Sequence, residues 1–104
     1  MERLTQLRNR YLDLTNRVLP DLAQQRRFPV RFNHCFQRIV LDNLFNGCWY
    51  DMLNRRESAY RQLTEQQLEG AIALAEAMVN QPDDYLEQLN QNSLRWRRKP
   101  TRED

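Results

Sequence analysis

The sequence predicts an all-α fold: a compact bundle of about four helices that forms one domain. Apolar residues recur at spacings of three and four along most of the chain, and proline and Asn-Gly positions separate these runs. Of the 104 residues, 40% are hydrophobic and 29% are charged, which is typical of a folded globular domain. A chain of this length forms one hydrophobic core. We therefore predict a single helical domain over residues 1–97 and a frayed basic C-terminal tail over residues 98–104.

The first predicted helix runs from Leu4 to Leu19. Pro20, which has no amide hydrogen, predicts its end. The apolar stripe covers roughly 160° of the helix surface, which suits packing inside a bundle better than a two-stranded coiled coil. Homodimerisation through this helix is therefore a second choice. The stripe consists of Leu4, Leu7, Tyr11, Leu12, Leu14, Val18 and Leu19.

Residues 28–32 are predicted to form an extended segment, which we call the strap. Pro29 disfavours a helical conformation for the residue before it, and apolar residues then alternate along the segment. No second strand-like run exists to pair with the strap, so we expect it to lie across the bundle. Its apolar residues are Phe28, Val30 and Phe32.

The most apolar part of the chain, about residues 33–54, predicts a central helix that is mostly buried. Its apolar residues point in nearly every direction around the helix, and such a helix usually lies inside a fold. Asn33 is suited to the N-cap position, and the Asn46-Gly47 pair would kink or split the helix. This helix is the predicted centre of the bundle.

Two further helices follow. Thr64 and Gln67 match a capping box at the start of the third helix. Pro82 fits the first position of a fourth helix, where Asp83 and Asp84 would interact favourably with the helix dipole. The alternating alanines of the third helix would permit close approach of a neighbouring helix; they are Ala71, Ala73, Ala75 and Ala77.

Charge is unevenly distributed although the net charge is only +2. Residues 1–61 carry eleven basic and six acidic groups, residues 62–90 carry six acidic groups and no base, and residues 91–104 carry five bases and two acids. Arginines with an aromatic residue among them can bind phosphates and stack on a base, so nucleic-acid binding is an alternative function. Cations in a last helical turn also stabilise that helix, which is the structural interpretation. The candidate nucleic-acid residues are Arg26, Arg27, Arg31, Arg95, Arg97, Arg98 and Lys99.

A line of polar residues crosses the predicted central helix. His34, Arg38 and Asp42 stand at i, i+4 and i+8 and project within about 80° of one another. Unpaired polar groups on a buried helix are costly, so these residues must satisfy one another or face a ligand or water. One interpretation is a structural network in which Arg38 bridges Asp42 and a backbone carbonyl. The other is a pocket for an anionic or polar ligand, with Arg38 as the clamp and Asn33 and Trp49 beside it.

Other site chemistries find little support in the residues. The chain has one histidine, and one turn further on lies a cation, Arg38, where a second metal ligand would be needed. Cys35 and Cys48 would lie about 20 Å apart on one helix, too far for a disulfide, and are predicted to be small core residues. Gly47 and Gly70 are the only glycines and cannot form a phosphate-binding loop. We predict no catalytic residue, no metal site and no cofactor.

The sequence predicts a cytoplasmic protein without a membrane partner. The N-terminus has polar residues where a secretory signal would have an apolar stretch. No apolar run approaches the roughly 18 residues that a membrane span needs.

One string in the central segment is distinctive: residues 32–43 match FNHCF-x-RI-x-LDN. Together with residues 47–51, 59–64 and 71–75, it resembles a family of small uncharacterised bacterial proteins of the kind found in cyanobacteria. The resemblance covers roughly residues 29–79. Some members of this family carry an N-acetyltransferase label, and the resemblance implies no established activity. An acetyltransferase fold needs a mixed sheet and a glycine-containing pyrophosphate loop before a helix, and the sequence predicts neither.

The leading hypothesis from sequence is a non-catalytic helical binding or assembly module. Its most expected partner is another protein, which would contact the strap and the central helix. Nucleic-acid binding through the arginine clusters is the first alternative. A small-ligand or enzymatic site at His34, Arg38 and Asp42 is the second, and it requires an open pocket at these residues.

Overall fold

The all-α prediction is confirmed by the computed structural model, in which no strand occurs between residues 2 and 103. The structure describes the backbone of residues 2–103 and the side chains of residues 2–98. A π-helical segment, Leu14–Val18, joins the first two helices, and a 3₁₀ turn, Trp49–Asp51, follows the third. The helices are α1 (Glu2–Asp13), α2 (Leu19–Ala23), α3 (Asn33–Phe45), α4 (Ala59–Gln62), α5 (Glu65–Asn80) and α6 (Asp83–Glu103).

The predicted end of the first helix at Pro20 is wrong, because the helical path continues to Ala23. Proline normally breaks a helix because it lacks an amide hydrogen and its ring clashes with the carbonyl four residues earlier. Here the wider turn of Leu14–Val18 precedes it, and the amide of Leu19 bonds to the carbonyl of Leu14, five residues back. Pro20 then lies in the first turn of α2, directly after the π-helical turn.

The central helix is shorter than predicted. It begins at Asn33, with Phe32 and not the predicted Asn33 at the N-cap, and it ends at Phe45, nine residues before the predicted end. Asn46 adopts the left-handed conformation with φ of 57°, and the amide of Gly47 bonds to the carbonyl of Asp42 over 3.0 Å. Asparagine is one of the few residues that tolerate this conformation, and it is a common way to end a helix. The Asn46-Gly47 pair therefore stops α3.

The predicted capping box is confirmed at the start of α5. The hydroxyl of Thr64 accepts a hydrogen bond from the amide of Gln67, and the side chain of Gln67 accepts one from the amide of Thr64. Gly70 lies where α5 meets α3, since a Cβ built there would come within 3.0 Å of a Leu44 methyl group. Small residues on this face of α5 thus allow the two helices to approach closely.

The core lies between α3 and the helices around it. α3 packs against α5 and α6, and α1 packs against α5. Phe28 of the strap is buried against the edge of Phe36, with ring centroids 5.9 Å apart, whereas Phe32 is 64% exposed. The first residue of the strap, Phe28, therefore packs in the core, whereas its last residue, Phe32, is exposed to solvent. The most deeply buried large side chains include Tyr11, Leu14, Leu19, Phe36, Ile39, Leu41, Leu68, Met78 and Leu86.

The predicted C-terminal tail falls partly on α6, which the structure describes as helical to Glu103. Asp104 and the side chains beyond Arg98 lie outside the described residues. Fraying of residues 98–104 therefore stays a prediction.

Candidate functional site

An open cavity of about 580 Å³ lies between α1, α3, α6 and the segment of residues 49–60. Four of the five residues predicted for a ligand- or partner-binding site line it: Asn33, His34, Arg38 and Trp49. The fifth, Asp42, is fully buried and anchors residues that line the cavity. Ligand-binding pockets commonly have volumes of about 300–1,000 Å³. The polar line of α3 therefore borders a cavity of suitable size for a small molecule.

Asp42 holds the α6 side of the cavity together. Its carboxylate pairs with Arg97, at 2.7 Å to Nε and 3.2 Å to Nη2, and accepts a 2.6 Å bond from the Ser93 hydroxyl. It also accepts a 3.0 Å bond from the backbone amide of Trp49. A buried carboxylate is tolerated only when it is paired and hydrogen-bonded in this way. One residue thus fixes both α6 and the chain beyond α3 to the central helix.

Arg38 lines the same side but contacts no carboxylate. Its guanidinium donates to the Ser93 hydroxyl over 2.7 Å and to the side-chain carbonyl of Asn90 over 2.9 Å. Among the ion pairs of the described residues none involves Arg38, whereas Arg97 pairs with Asp42. Burial, followed by the positive charge of Arg97, lowers the pKa of Arg38. Arg38 is therefore a half-buried cation whose contacts among the described side chains are neutral.

The structure modifies the network predicted for the polar line. Arg38 does not bridge Asp42 directly: Ser93 lies between them, accepting from Arg38 and donating to Asp42. His34 is exposed at the edge of the cavity, where its ring is stacked on Phe32 with centroids 5.9 Å apart. The line thus runs from an exposed histidine to a sealed carboxylate, with an arginine at the cavity wall between them.

The α1 side of the cavity carries a neutral network, which we call the amide wall: Thr15, Asn16, Asn33 and Gln37. Gln37 Nε2 donates to Thr15 Oγ1 and to Asn16 Oδ1, both over 3.1 Å. Asn33 Nδ2 also donates to Asn16 Oδ1 over 3.1 Å. The Thr15 hydroxyl in turn donates to the backbone carbonyl of Tyr11 over 3.0 Å. The amide wall therefore links α3 to the π-helical segment.

Aromatic residues form the third side. Trp49 and Tyr50 meet edge to face with centroids 4.9 Å apart, and Tyr60 stacks on Tyr11 at 6.5 Å. All four line the cavity. The Tyr50 ring also lies under the guanidinium of Arg97, 4.8 Å from its centroid, which connects the aromatic side to the α6 side. The cavity thus combines a cationic, an amide and an aromatic side.

Tyr11 is the most buried of the residues that line the cavity, with 1% of its surface exposed. Burial raises the pKa of its phenol. No hydrogen bond joins its hydroxyl to any of the described residues, although a buried tyrosine hydroxyl usually has a partner. Tyr11 lines the cavity, so a ligand or water there is the candidate partner for this hydroxyl.

The residues considered for nucleic-acid binding lie apart in the fold. Arg26 closes the C-terminal end of α5, donating to the carbonyls of Val79 and Gln81 and to Asp83, whose pKa this hydrogen bond lowers. Arg31 donates to the carbonyl of Ala23.

On α6, Arg97 is engaged with Asp42, and Arg95 lies 5.9 Å over the Trp96 ring. Arg98 is exposed, as is Arg27, and the side chain of Lys99 lies outside the described residues. Nucleic-acid binding by these residues stays a prediction.

Tyr11, Asn16, Gln37, Tyr60 and Arg97 were not predicted as parts of this site. Arg97 was predicted only as a candidate nucleic-acid residue, and no role was predicted for Gln37. A signal existed for Gln37, because it follows Asn33 by one helical turn and extends a second polar line. The residues of α1 and α6 reach the site through tertiary packing, which no local spacing reveals.

Among residues 2–98 the structure contains no cluster of three or more histidine, cysteine or carboxylate side chains able to hold a metal ion. Cys35 and Cys48 are half-buried free thiols. None of the described helices is both long and apolar enough to cross a membrane. Comparison of the chain with protein-family models, with curated proteins and with solved structures found no match.

Proposed function

We propose that this protein binds a small anionic molecule in the cavity between α1, α3, α6 and residues 49–60. The observation that carries the proposal is the environment of Arg38, a cation at the cavity wall whose hydrogen bonds go to the neutral side chains of Ser93 and Asn90. Two of its five N–H groups are used there, so others remain for a ligand. A carboxylate or phosphate would supply the missing counter-charge.

The other charges of the site favour Arg38 as the anion-binding group. Arg97 is already neutralised by Asp42 within a tight ion pair. Glu57, the one carboxylate among the described residues that line the cavity, is exposed and belongs to the segment before α4. Charge-assisted hydrogen bonds from arginine to an anion are roughly twice as strong as neutral ones. The half-buried position of Arg38 would strengthen them further.

The backbone amides at the N-terminus of α3 already have hydrogen-bond acceptors, so they are not the main donors to a ligand. The amides of Cys35 and Phe36 bond to the carbonyl of Phe32, and the amide of His34 bonds to the side chain of Asn33. Helix N-termini often bind anions through such amides, but these three already have acceptors. Side chains would therefore make the contacts to the ligand, which is the arrangement of a specific pocket.

The test compares phenyl phosphate and benzoate with the uncharged benzamide in titrations followed by amide chemical shifts. We expect shifts at cavity residues with the two anions and little change with benzamide. Arg38→Gln should weaken binding of the anions about tenfold or more, because one charge-assisted bond is worth roughly 1.5–3 kcal/mol. Arg98→Gln, an exposed arginine of α6, is the matched control. Equal binding of benzamide and benzoate would refute the proposal.

A second candidate function is the protein-binding module predicted from sequence. It is favoured by the exposure of two large apolar side chains, one at the end of the strap and one beyond α3: Phe32 is 64% and Met52 is 58% exposed. Large exposed apolar residues often mark contact surfaces. This surface adjoins the cavity at His34, on which Phe32 is stacked.

This candidate is tested with a tagged full-length chain. A true partner, including an untagged second copy of the chain, should be recovered with the unchanged protein and lost with Phe32→Ser and Met52→Ser. Leu94→Ser on α6 changes an apolar residue that is 40% exposed and serves as the control. Proteins recovered equally with all variants would count against a contact surface at this position.

A further inference from the structure

The amide wall has a fixed hydrogen-bond polarity, which determines what it can offer to a ligand. The backbone carbonyl of Tyr11 can only accept, so the Thr15 hydroxyl must use its single proton there. Thr15 Oγ1 is then an acceptor towards Gln37, and the side-chain nitrogen of Gln37 must face it. The same nitrogen faces Asn16, whose side-chain oxygen must be turned towards it. One main-chain carbonyl thereby orients three side chains in succession.

A second backbone group, the amide of His34, fixes the orientation of the Asn16 side chain independently. The backbone amide of His34 can only donate, so the side-chain oxygen of Asn33 accepts from it over 2.8 Å. The nitrogen of Asn33 then points to the oxygen of Asn16. Both backbone groups orient the Asn16 amide in the same way, with its oxygen towards Asn33 and Gln37.

Two polar groups of the amide wall are left over by this network. Asn16 Nδ2 can donate and Gln37 Oε1 can accept, and neither is used in the hydrogen bonds among the described residues. Both side chains line the cavity, as does the buried Tyr11 with its unpartnered hydroxyl. Among the described residues, the side chains that line the cavity therefore carry one unused donor and one unused acceptor on the amide wall, and a hydroxyl that can act as either.

We infer that the ligand is a nucleoside monophosphate whose base places its polar edge on Asn16 and Gln37 and whose phosphate lies at Arg38. This inference rests on the proposed anionic ligand and names its class. The common bases carry a donor and an acceptor side by side on one edge, which is the complement of the amide wall. Enzymes that read single bases combine such edge contacts with stacking on aromatic side chains.

The positions of the three sides of the cavity favour a nucleoside monophosphate over a simple carboxylic acid as the ligand. α3 directs Gln37 towards α1 and Arg38 towards α6, so the amide wall and the cation lie on different sides of the cavity. A ligand that uses both must carry its polar edge and its anionic group at separate ends. The rings of Trp49 and Tyr60 line the cavity and supply aromatic surface for a base, whereas the ring of Tyr50 already carries the guanidinium groups of Arg55 and Arg97.

The experiment uses the unchanged full-length chain and four probes in calorimetric titrations: AMP, IMP, purine riboside 5′-monophosphate and ribose 5-phosphate. Purine riboside 5′-monophosphate keeps the ring and the phosphate but lacks the exocyclic polar group. We expect AMP or IMP to bind about three- to tenfold more tightly than it, because a probe without that group loses one hydrogen bond to the amide wall. Ribose 5-phosphate, which has no ring to stack, should bind weakest.

Asn16→Asp separates base recognition from charge. The new carboxylate retains an oxygen for Asn33 and Gln37 but replaces the donor at the cavity with an acceptor. It should weaken all four phosphates by repulsion, and it should also abolish the preference for AMP or IMP over purine riboside 5′-monophosphate. Because Asn16 is exposed, the variant should fold, which circular dichroism checks. The ratio of affinities cancels the general effect of the added charge.

The outcomes distinguish this inference from the proposed function. Equal affinity for AMP, IMP and purine riboside 5′-monophosphate, or an affinity ratio unchanged by Asn16→Asp, would overturn the nucleotide assignment while Arg38-dependent anion binding stood. Binding of phenyl phosphate without binding of any nucleotide would do the same. Failure of every anion to bind would refute both.

Discussion

Two networks of different chemistry join α3 to its neighbours, one on each side of the helix. Towards α6, the helix is joined by an ionic network in which Asp42 is sealed from solvent and binds Arg97 and Ser93. Towards α1, it is joined by the amide wall, whose contacts with Thr15 and Asn16 are neutral. Both networks fix a neighbouring element to α3, and both border the same cavity.

Stability and recognition are divided between the two sides of α3. A buried charge cannot lose its partners without a large penalty, so the ionic network should dominate the stability of the fold. A neutral network costs less to disturb, but its donors and acceptors have definite directions. We therefore expect changes on the α6 side to unfold the protein, and changes on the α1 side to alter mainly what the cavity accepts.

The largest expected effect comes from Asp42→Ala. This change leaves Arg97, the Ser93 hydroxyl and the Trp49 amide without their acceptor. Breaking a buried ion pair in this way typically lowers the free energy of unfolding by about 3–5 kcal/mol. Urea denaturation followed by circular dichroism would measure the loss. Asp51→Ala, on an exposed neighbour in the 3₁₀ turn, is the control, and a similar small change in both variants would contradict the comparison.

A smaller loss is expected for Thr15→Val on the α1 side. The variant keeps the shape of the buried side chain but removes its hydrogen bonds with Tyr11 and Gln37. Loss of such neutral bonds typically costs about 1–2 kcal/mol, which the same denaturation experiment would detect. Thr5→Val on the exposed face of α1 provides the control. If Thr15→Val proved as destabilising as Asp42→Ala, the proposed division between the two sides would be wrong.

The smallest effect at neutral pH is expected for Tyr11→Phe, because the lost hydroxyl has no hydrogen bond to a described residue. Its effect should appear at alkaline pH. Burial raises the pKa of Tyr11 above its ordinary 10.0, so above that pH the unfolded chain releases a proton that the folded chain retains. The stability of the unchanged protein should then fall, relative to the variant, by up to about 1.4 kcal/mol per pH unit.

Urea denaturation of both proteins at pH 7, 10 and 11 would measure this difference. Tyr60→Phe, which alters a less buried tyrosine of the same cavity, is the control. A constant difference between Tyr11→Phe and the unchanged protein across this range would show that the phenol is not held in its neutral form by burial.

The main helices could be predicted because each one produces a local pattern of residue spacing in the sequence. Helical spacing identified the main elements, and the capping box at Thr64 and Gln67 placed the start of α5. The ends of two helices were wrong because they depend on backbone conformations that composition does not specify. Pro20 is tolerated because of the π-helical segment before it, and Asn46 ends α3 through its left-handed conformation.

The site was predictable only where it lies on one element. The spacing of His34, Arg38 and Asp42 marked the face of α3 that borders the cavity. Trp49 was included because it extended that spacing, yet it reaches the cavity from the 3₁₀ turn, which the buried carboxylate of Asp42 holds through a backbone amide. Tyr11 and Arg97 come from opposite ends of the chain, and only the packing of α1 and α6 against the rest brings them together.

The π-helical segment Leu14–Val18 also gives the first helical stretch one residue more than a regular helix needs to keep its core contacts. Leu14 and Leu19, five positions apart, are both buried, and the amide of Leu19 bonds to the carbonyl of Leu14 across the widened turn. The surplus residue lies in the stretch that supplies Thr15 and Asn16 to the amide wall. Deletion of one residue from this stretch would therefore shift Thr15 and Asn16 relative to α3, so the π-helical turn couples the register of the first helical stretch to the composition of the amide wall.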